Sequence, residues 1–417
     1  MKHTMFAMVL LVLTAFGTPY AAAASGLVLD GVTHQPIGDA IVTIDHHIMR
    51  SDKAGGFVSD APDGATVQVR APGYRRTAVT QKAGGPLTIA LLPFRPHAVY
   101  LSAFGVTNAA LREAAVRLTE TTSVNALVID MKGDRGMTPY HSPAREKIGA
   151  AAYVGEHAPA IDAFQSIIDA LRRRGIYLIA RIVVFKDDPL AQAHPEWAVR
   201  DAEDRPWLDR EALRWVDPFS QDVWRHNLDL AEEAARAGFD EIQFDYVRFP
   251  DASGLRFARA NTRANRTAAI VGFLDAARER LAPYNVFVAA DIFGYVLWNP
   301  DDTAIGQQLE TLGAALDYIS PMLYPSGFTW GLPGCANPVA DPGQIVRRSL
   351  AEGKRRTGLP GVRFRPWLQA FRDYAFDRRV FDADDIRAQI DAAQAADTDG
   401  WMLWNPRNHY DAGQLPR

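Results

Sequence analysis

The chain has 417 residues, of which 48% are hydrophobic and 23% are charged, a composition typical of a globular protein and unlike that of a disordered one. The formal net charge of −4 gives no electrostatic basis for binding nucleic acid or an anionic membrane surface. The length is sufficient for two domains, or for one large barrel with an addition.

The N-terminus has the organisation of a secretory signal peptide. A weakly basic end precedes the apolar residues 5–16, and the small residues Ala21 to Ala24 supply a cleavage site before Ser25. The apolar run is short for a membrane span, although an uncleaved N-terminal anchor is the alternative. We therefore predict that residues 1–24 are a signal peptide and that the protein is periplasmic or secreted, with no membrane span after cleavage. Because Cys335 is the only cysteine, no internal disulfide is possible.

Residues 25–94 predict a small antiparallel β-sandwich. Short segments that alternate apolar and polar residues are separated by Gly, Pro and Asp turns. The segments 31–37, 39–42, 51–57 and 71–74 resemble those of the carboxypeptidase regulatory-like sandwich domain. That resemblance implies an accessory domain that spaces, docks or binds. His46 and His47 are adjacent on a predicted strand and point to opposite faces, so they do not predict a metal site.

Residues 95–417 predict a (β/α)8 TIM barrel, because strands and helices alternate along this region. The alternative is an open doubly wound sheet, which would require a Gly-rich phosphate loop after the first strand, and residues 104–108 do not form one. The predicted strands are 97–103, 125–131, 177–184, 240–246, 285–291, 316–323, 363–370 and 399–404. The predicted helices are 108–120, 160–174, 220–237, 262–282, 304–314, 343–356 and 383–396.

Two consecutive strands of the predicted barrel, the fourth and the fifth, end in a carboxylate. These are Asp245 and Asp291, and the carboxyl ends of barrel strands form the catalytic face. Strand alternation places Gln243 on the same inward side as Asp245, and Phe287 and Ala289 on the side of Asp291. With neighbouring strands about 4.8 Å apart, we expect the two carboxylates roughly 5–9 Å apart, which spans both retaining and inverting glycosidase geometries.

Hydrolysis of a glycosidic bond requires such a pair, because one carboxyl donates a proton to the leaving group while the other acts as a nucleophile or base. Arg181 and Arg248 are expected to keep Asp245 ionised, and the apolar neighbours of Asp291 are expected to raise its pKa. We therefore assign Asp245 as the nucleophile or base and Asp291 as the acid, with the reverse order open. The structural alternatives are an Asp245–Arg248 salt bridge and a capping or loop-bracing role for Asp291.

Aromatic and polar residues near the other strand ends predict carbohydrate binding, because sugar rings stack on aromatic faces and their hydroxyls bind planar polar groups. Asp130 is a candidate sugar ligand or third acid, or else a structural partner of Lys132 or Arg181. No G-x-S-x-G, H-E-x-x-H or C-x-x-C motif is present, and neither a metal nor another cofactor is predicted. The candidate substrate-binding residues are Asp130, Lys132, Arg181, Asp217, Tyr246, Arg248, Tyr324, Trp367, Gln369, Trp404 and Asn405, and Trp298 and Trp330 are further aromatic candidates.

Eight segments carry a family resemblance: Val128–Lys132, Arg181–Lys186, Trp215–Pro218, Phe244–Pro250, Ala290–Gly294, Asp317–Pro325, Arg365–Gln369 and Leu403–Asn405. Together they resemble a glycoside hydrolase family of bacterial secreted proteins that is distantly similar to α-amylase-like barrels. The resemblance covers residues 96–410 and implies a barrel whose nucleophilic Asp ends strand four and whose acid ends strand five, where Asp245 and Asp291 lie. The α-amylase acid is Glu, so Asp291 is a departure with a shorter side chain.

The predicted function is therefore hydrolysis of O-glycosidic bonds in a cell-envelope or extracellular polysaccharide, with a polysaccharide or oligosaccharide as the partner. One alternative is a carbohydrate-binding barrel without catalysis. Another is a structural surface protein in which the sandwich is the binding domain.

Overall fold

The computed structural model describes residues 24–44, 47–59, 62, 64–81, 87–155 and 158–417. Residues 1–23 of the predicted signal peptide and His46 lie outside the described residues. Across the described ranges, no helix combines the length and the hydrophobicity that crossing a membrane requires.

Seven short strands form two sheets at the N-terminus. One sheet has the order β4-β1-β7 and the other the order β3-β2-β5-β6. All pairs are antiparallel, as predicted, except that β1 and β7 are parallel. Buried aliphatic residues such as Val28, Val42, Val67 and Ile89 form the core of this domain. The strands are β1 (Ala24–Asp30), β2 (Ile41–Ile44), β3 (His47–Arg50), β4 (Gly56–Ser59), β5 (Thr66–Arg70), β6 (Thr77–Thr80) and β7 (Leu87–Leu91).

Eight parallel strands close into a barrel, which confirms the (β/α)8 fold and excludes the open doubly wound sheet. The barrel closes where β15 pairs with β8. The seventh barrel strand begins later than predicted because Pro366 has no N–H to donate to a neighbouring strand. The strands are β8 (His97–Leu101), β9 (Ala126–Lys132), β10 (Tyr177–Val183), β11 (Glu241–Asp245), β12 (Phe287–Phe293), β13 (Tyr318–Met322), β14 (Trp367–Gln369) and β15 (Trp401–Trp404).

The seven predicted helices are present around the barrel, and three short helices, α1, α3 and α5, were not predicted. Helix α6 ends at Gly238, whose φ of 96° is the left-handed conformation expected of a C-terminal cap. Helix α8 starts later than predicted because Thr303 and Ala304 also have positive φ angles. The helices are α1 (Ala103–Thr107), α2 (Ala109–Thr121), α3 (Pro143–Lys147), α4 (Ile161–Arg173), α5 (Asp188–Ala193), α6 (Gln221–Ala237), α7 (Arg263–Leu281), α8 (Leu309–Ala315), α9 (Pro342–Thr357) and α10 (Ala383–Ala395).

The predicted alternation of inward-facing and outward-facing side chains along β11 and β12 is confirmed by two apolar clusters, one inside the barrel and one between the strands and the helices. Phe287 and Ala289 belong to the cluster that fills the barrel interior, whereas Ile242 and Phe244 pack in the layer beneath the helices. Gln243 points inward, where its amide nitrogen donates to Ser320 Oγ at 3.2 Å. Asp245 follows Gln243 by two residues and therefore also faces inward.

The N-terminal domain packs against the end of the barrel where the strands begin. Arg70, the last residue of β5, forms a buried ion pair with Asp317, which precedes β13. Arg76 forms an ion pair at 3.2 Å with Asp240, which precedes β11. The N-terminal domain is therefore at the opposite end of the barrel from the carboxyl ends of the strands, where TIM-barrel active sites are found.

Candidate active site

A cavity of about 570 Å³ opens at the carboxyl ends of the barrel strands, a size suited to a small ligand or to one or two sugar rings. Aromatic side chains form much of its wall, together with five charged side chains. The lining residues are Asp134, Arg181, Glu211, Asp245, Tyr246, Arg248, Phe293, Gly294, Tyr295, Met322, Tyr324, Gly327, Phe328, Trp367, Phe371, Tyr374, Trp404 and Pro406.

Asp245 is the last residue of β11 and is held in one orientation at the cavity surface. Its Oδ2 accepts hydrogen bonds from Arg181 Nε at 3.0 Å and from Arg181 Nη2 at 2.5 Å. Its Oδ1 accepts the backbone N–H of Tyr246 at 2.6 Å. Tyr246 has a φ of 47°, a left-handed conformation that a bulky residue rarely adopts and that is often found at functional sites. The turn at Tyr246 thus directs the backbone N–H back onto the carboxylate.

Arg181 of β10 contacts four carboxyl groups. Besides Asp245, its Nη1 donates to Asp130 Oδ1 at 2.7 Å and its Nη2 to Asp134 Oδ1 at 2.8 Å. Its Nε lies 3.8 Å from Asp291 Oδ2. Burial opposes the charged guanidinium, but Asp130 and Asp245 outweigh it and raise the pKa of Arg181 well above its usual value. One cation does not balance four carboxylates, so the site favours retention of a proton by at least one of them.

Of the carboxyl groups around Arg181, Asp291 has the surroundings that most favour the protonated form. Its side chain is 1% exposed, its Oδ1 accepts the indole N–H of Trp367 at 2.7 Å, and its Oδ2 has no hydrogen-bond partner among the described residues. Burial, and next the charge of Asp245, raise the pKa of Asp291 well above its usual value, while Arg181 opposes the shift. Asp291 is not part of the cavity lining and lies beneath the floor, next to Trp367.

The two predicted catalytic carboxyls are close together. Asp245 Oδ2 and Asp291 Oδ2 lie 3.0 Å and 3.8 Å from the same atom, Arg181 Nε, so the two oxygens are within about 7 Å of each other. This range includes the separation of about 5–5.5 Å in retaining glycosidases and only the short end of the 6.5–9.5 Å range in inverting ones.

Asp130 is not on the cavity surface and instead positions Arg181. Its Oδ2 accepts the hydroxyl of Tyr100 at 2.5 Å, and its Oδ1 accepts Arg181. Burial raises the pKa of Asp130 to about 6, although Arg181 opposes the shift. Of the roles considered from the sequence, the structure places Asp130 in that of a partner of Arg181.

Lys132 faces away from the cavity because of a β-bulge in β9. Asp130 pairs with Arg181, but Lys132 rather than Met131 pairs with Ile182, so one extra residue turns the Lys132 side chain toward the helices. There its ammonium group is fully buried and bonds to Asp187 at 2.6 Å and to Asn227 at 2.7 Å. The structure therefore does not bring Lys132 to the site with the other candidate residues.

Three other candidate residues brace loops near the cavity and are not part of its lining. The carboxylate of Asp217 accepts two backbone N–H groups, at 2.9 Å and 2.6 Å. The buried amide of Gln369 bonds to Ser326. The amide of Asn405 donates to two backbone carbonyls, each at 2.8 Å.

The remaining candidate binding residues, Tyr246, Arg248, Tyr324, Trp367 and Trp404, line the cavity together with Arg181 and Asp245. They lie in or directly after four different strands, β11, β13, β14 and β15, as expected for a barrel active site. Their rings give the cavity the aromatic surface expected of a carbohydrate site.

Two cavity acids, Asp134 and Glu211, were not predicted. The side chain of Asp134 is 38% exposed and lies in the loop after β9, and Glu211 forms an ion pair with Lys186 at 3.1 Å. The sequence shows Asp134 among the polar residues at the end of the second barrel strand. It does not show which of these side chains faces the cavity, because that depends on the β-bulge in β9. Glu211 lies in a long loop without a local pattern that could have indicated it.

An exposed aromatic residue lies beside the cavity. Trp330 is 87% exposed, its backbone N–H donates to the hydroxyl of Tyr295 at 3.0 Å, and the two ring centroids are 5.7 Å apart. Since Tyr295 lines the cavity, Trp330 extends the aromatic wall beyond it. Trp298 instead packs away from the cavity and donates to Ser349.

Among the described residues, no group of three or more His, Cys, Asp or Glu side chains has a geometry that could hold a metal ion.

Comparison with known proteins identifies the family of this barrel. Residues 98–410 match the family described as "Putative glycosyl hydrolase domain". No curated protein matches the chain. A hypothetical protein from Ruminiclostridium thermocellum ATCC 27405 is 34% identical over 46% of this chain and 96% of its own, with a TM-score of 0.41. The glycoside hydrolase domain of PgaB (BpsB) from Bordetella bronchiseptica is 18% identical over 77% of this chain and 97% of its own, and its TM-score of 0.55 supports the shared barrel fold.

Proposed function

We propose that this chain, which belongs to the glycosyl hydrolase family matched over residues 98–410, cleaves O-glycosidic bonds in a cell-envelope or extracellular polysaccharide, with Asp245 and Asp291 as the reacting carboxyls. The observation that carries the proposal is the contrast between the two. Asp245 is bound by Arg181 at the cavity surface, and Asp291 is buried beside it with a raised pKa. Glycoside hydrolysis requires this contrast, because one carboxyl must be ionised while the other is protonated.

The geometry favours a retaining reaction with two displacements. In the first, a carboxylate oxygen of Asp245 forms a bond to the anomeric carbon as the glycosidic bond breaks, and the departing oxygen takes the proton of Asp291. In the second, water attacks the anomeric carbon, gives a proton to the Asp291 carboxylate and releases Asp245. The two Oδ2 atoms are within about 7 Å of each other, which supports this order over an inverting reaction.

The burial of Asp291 sets a requirement on the substrate. The glycosidic oxygen must reach the cavity floor at Trp367, whose indole lines the cavity and also donates to Asp291. If a bound sugar does not reach this depth, Asp134 is the acid on the cavity surface that remains available. The same burial is the observation that favours the second candidate function, a barrel that binds carbohydrate without cleaving it.

The N-terminal domain fits the accessory role in this proposal. It contacts the barrel at the end away from the cavity, through Arg70 and Arg76, so its other surfaces are available for docking or spacing the enzyme. The signal-peptide pattern of residues 1–24 supports a periplasmic or secreted location, where such polysaccharides occur.

The test is reducing-end release from a panel of bacterial polysaccharides by the wild type and by Asp245→Asn, Asp291→Asn and Asp134→Asn. Asp222→Asn, which changes an exposed acid on α6 outside the cavity, is the matched control. We expect release by the wild type and the control, and a loss of about 100-fold or more in the Asp245 and Asp291 variants.

Other outcomes assign the site differently. Loss in Asp134→Asn but not in Asp291→Asn would make Asp134 the acid. Binding of a polysaccharide without release by any protein, and unchanged in all three site variants, would contradict hydrolysis and support the carbohydrate-binding function.

A further inference from the structure

Arg248 is a cation of the cavity wall that lacks a carboxylate partner. Among the described residues, no carboxylate oxygen lies within 4.0 Å of its guanidinium, and its hydrogen bond is from Nη1 to the backbone carbonyl of Phe249 at 3.1 Å. Arg181, the other arginine of the cavity lining, forms hydrogen bonds to three carboxylates and lies 3.8 Å from a fourth. The salt bridge between Arg248 and Asp245 considered from the sequence is not formed, because Arg181 takes that position.

Aromatic rings hold the Arg248 guanidinium in place. Its Cζ lies 4.8 Å from the ring centroid of Trp215, 4.9 Å from that of Tyr246 and 4.6 Å from that of Phe293. Cation–π contacts with three rings stabilise the guanidinium in this position. They leave N–H donors at the edge of the guanidinium without partners among the described residues, since the group has five donors and one of them bonds to Phe249.

We propose that Arg248 binds an oxyanion carried by the substrate, so that the polysaccharide contains an acidic sugar. A fixed, partly dehydrated guanidinium with free edge donors matches a carboxylate or phosphate in a two-point, charge-assisted hydrogen bond, which is about twice as strong as a bond to a neutral hydroxyl. Uronic acids and sugars with phosphate or sulfate groups share this chemistry. The inference rests on the proposed function, because it names the substrate class of the same cavity.

The position of Arg248 relative to the reacting carboxyls supports this assignment. Tyr246 connects the two, since it follows Asp245 in the chain and its ring contacts Arg248. Arg248 and Asp245 line the same cavity, so the acidic group belongs to a sugar bound inside the cavity and not at the outer rim near Trp330. Specificity for an acidic residue next to the cleaved bond follows from this placement.

The experiment measures binding and hydrolysis separately. Binding of polyuronates, of the same polymers after carboxyl reduction, and of phosphorylated and sulfated glycans is measured by calorimetry with Asp245→Asn, so that turnover does not interfere. Arg248→Met and Arg248→Lys are added to this background, with Arg225→Met, an exposed arginine of α6, as the matched control. Reducing-end release from the same glycans is measured with Asp245 intact, and thermal unfolding establishes that each variant is folded.

We expect at least one acidic glycan to bind at least tenfold more tightly than its carboxyl-reduced form, or than the unsubstituted glycan when the acid is phosphate or sulfate. Arg248→Met should abolish this preference, Arg248→Lys should restore part of it, and Arg225→Met should leave it unchanged. The class of glycan that binds distinguishes a carboxylate from a phosphate or sulfate. The inference would be overturned if a folded Arg248→Met variant lost affinity for acidic and neutral glycans equally. It would also be overturned if the protein with Arg248 intact bound neutral glycans alone.

The two proposals fail in different ways. Hydrolysis of a neutral polysaccharide that does not depend on Arg248 would overturn the acidic-sugar inference and leave the hydrolase function intact. Selective binding of an acidic glycan through Arg248, without any reducing-end release, would contradict the hydrolase function and support the inference.

Discussion

The hydrogen bond from the Trp367 indole to Asp291 opposes the rise in the Asp291 pKa that burial and the charge of Asp245 cause. The bond favours the ionised carboxyl, so Trp367→Phe, which removes the donor and keeps an aromatic ring, raises the pKa of Asp291 further. A hydrogen bond to a charged group contributes roughly 1.5–3 kcal/mol, and one pKa unit corresponds to about 1.4 kcal/mol. We therefore expect the basic limb of the pH–activity profile to move upward by about 1–2 units.

The assay is the pH dependence of kcat/KM on a polysaccharide that the wild type hydrolyses. The sign follows from the role of Asp291, because an acid is active below its pKa and activity falls as the pH rises through it. Trp404→Phe is the matched control, since Trp404 lines the same cavity and makes no hydrogen bond to Asp291. A basic limb that stays in place or moves downward in Trp367→Phe, or that moves equally in the control, would refute the assignment of Asp291 as the acid.

Three further predictions concern the cation of the site, the exposed aromatic and the N-terminal domain. Arg181→Met leaves buried carboxylates without their counter-charge, so the free energy of unfolding from urea titration should fall by about 3–5 kcal/mol at pH 7. The decrease should be smaller toward pH 4, because the carboxylates then take up protons; an equal decrease at both pH values would contradict this. Trp330→Ala should leave the melting temperature within about 1 °C because the side chain is exposed, but should raise KM for long chains about three- to tenfold and for disaccharides little. Equal effects on both substrates would argue against an outer sugar site. Arg70→Met leaves Asp317 buried and unpaired, so it should reduce stability by about 3 kcal/mol or more while kcat/KM of the folded protein stays unchanged; loss of activity in a folded variant would contradict the opposite-end placement of the domain.

The barrel and the inward direction of its carboxylates were predictable because they depend on local patterns. Each barrel strand is a buried run bounded by turns, and the period of two along a strand places Asp245 on the same side as Gln243. Asp291 was predicted at a strand end, but β12 continues to Phe293. Those two extra residues explain why Asp291 lies beneath the cavity floor.

The long-range contacts of the site were not predictable, because they depend on how distant segments meet. Arg181 and Arg248 were equally good partners for Asp245 in the sequence, and the closed barrel selects Arg181 from the neighbouring strand. The bulge in β9 that turns Lys132 outward could not be predicted, because all seven residues of this strand are buried and their pattern does not show where the extra residue lies. Trp330 was a candidate aromatic, but its position next to Tyr295 depends on the loop fold.

In the proposed reaction, Asp291 protonates the leaving group while Asp245 attacks the sugar. The most direct test compares Asp291→Asn and Asp245→Asn on two substrates of the sugar that the wild type hydrolyses, one the natural polymer and the other a dinitrophenyl glycoside, whose leaving group departs without a proton. Asp291→Asn should lose about 100-fold or more of kcat/KM on the polymer and stay near the wild type on the dinitrophenyl glycoside, whereas Asp245→Asn should lose both activities. Equal loss of the two activities in Asp291→Asn, or full activity of Asp245→Asn on the activated substrate, would contradict the assigned roles.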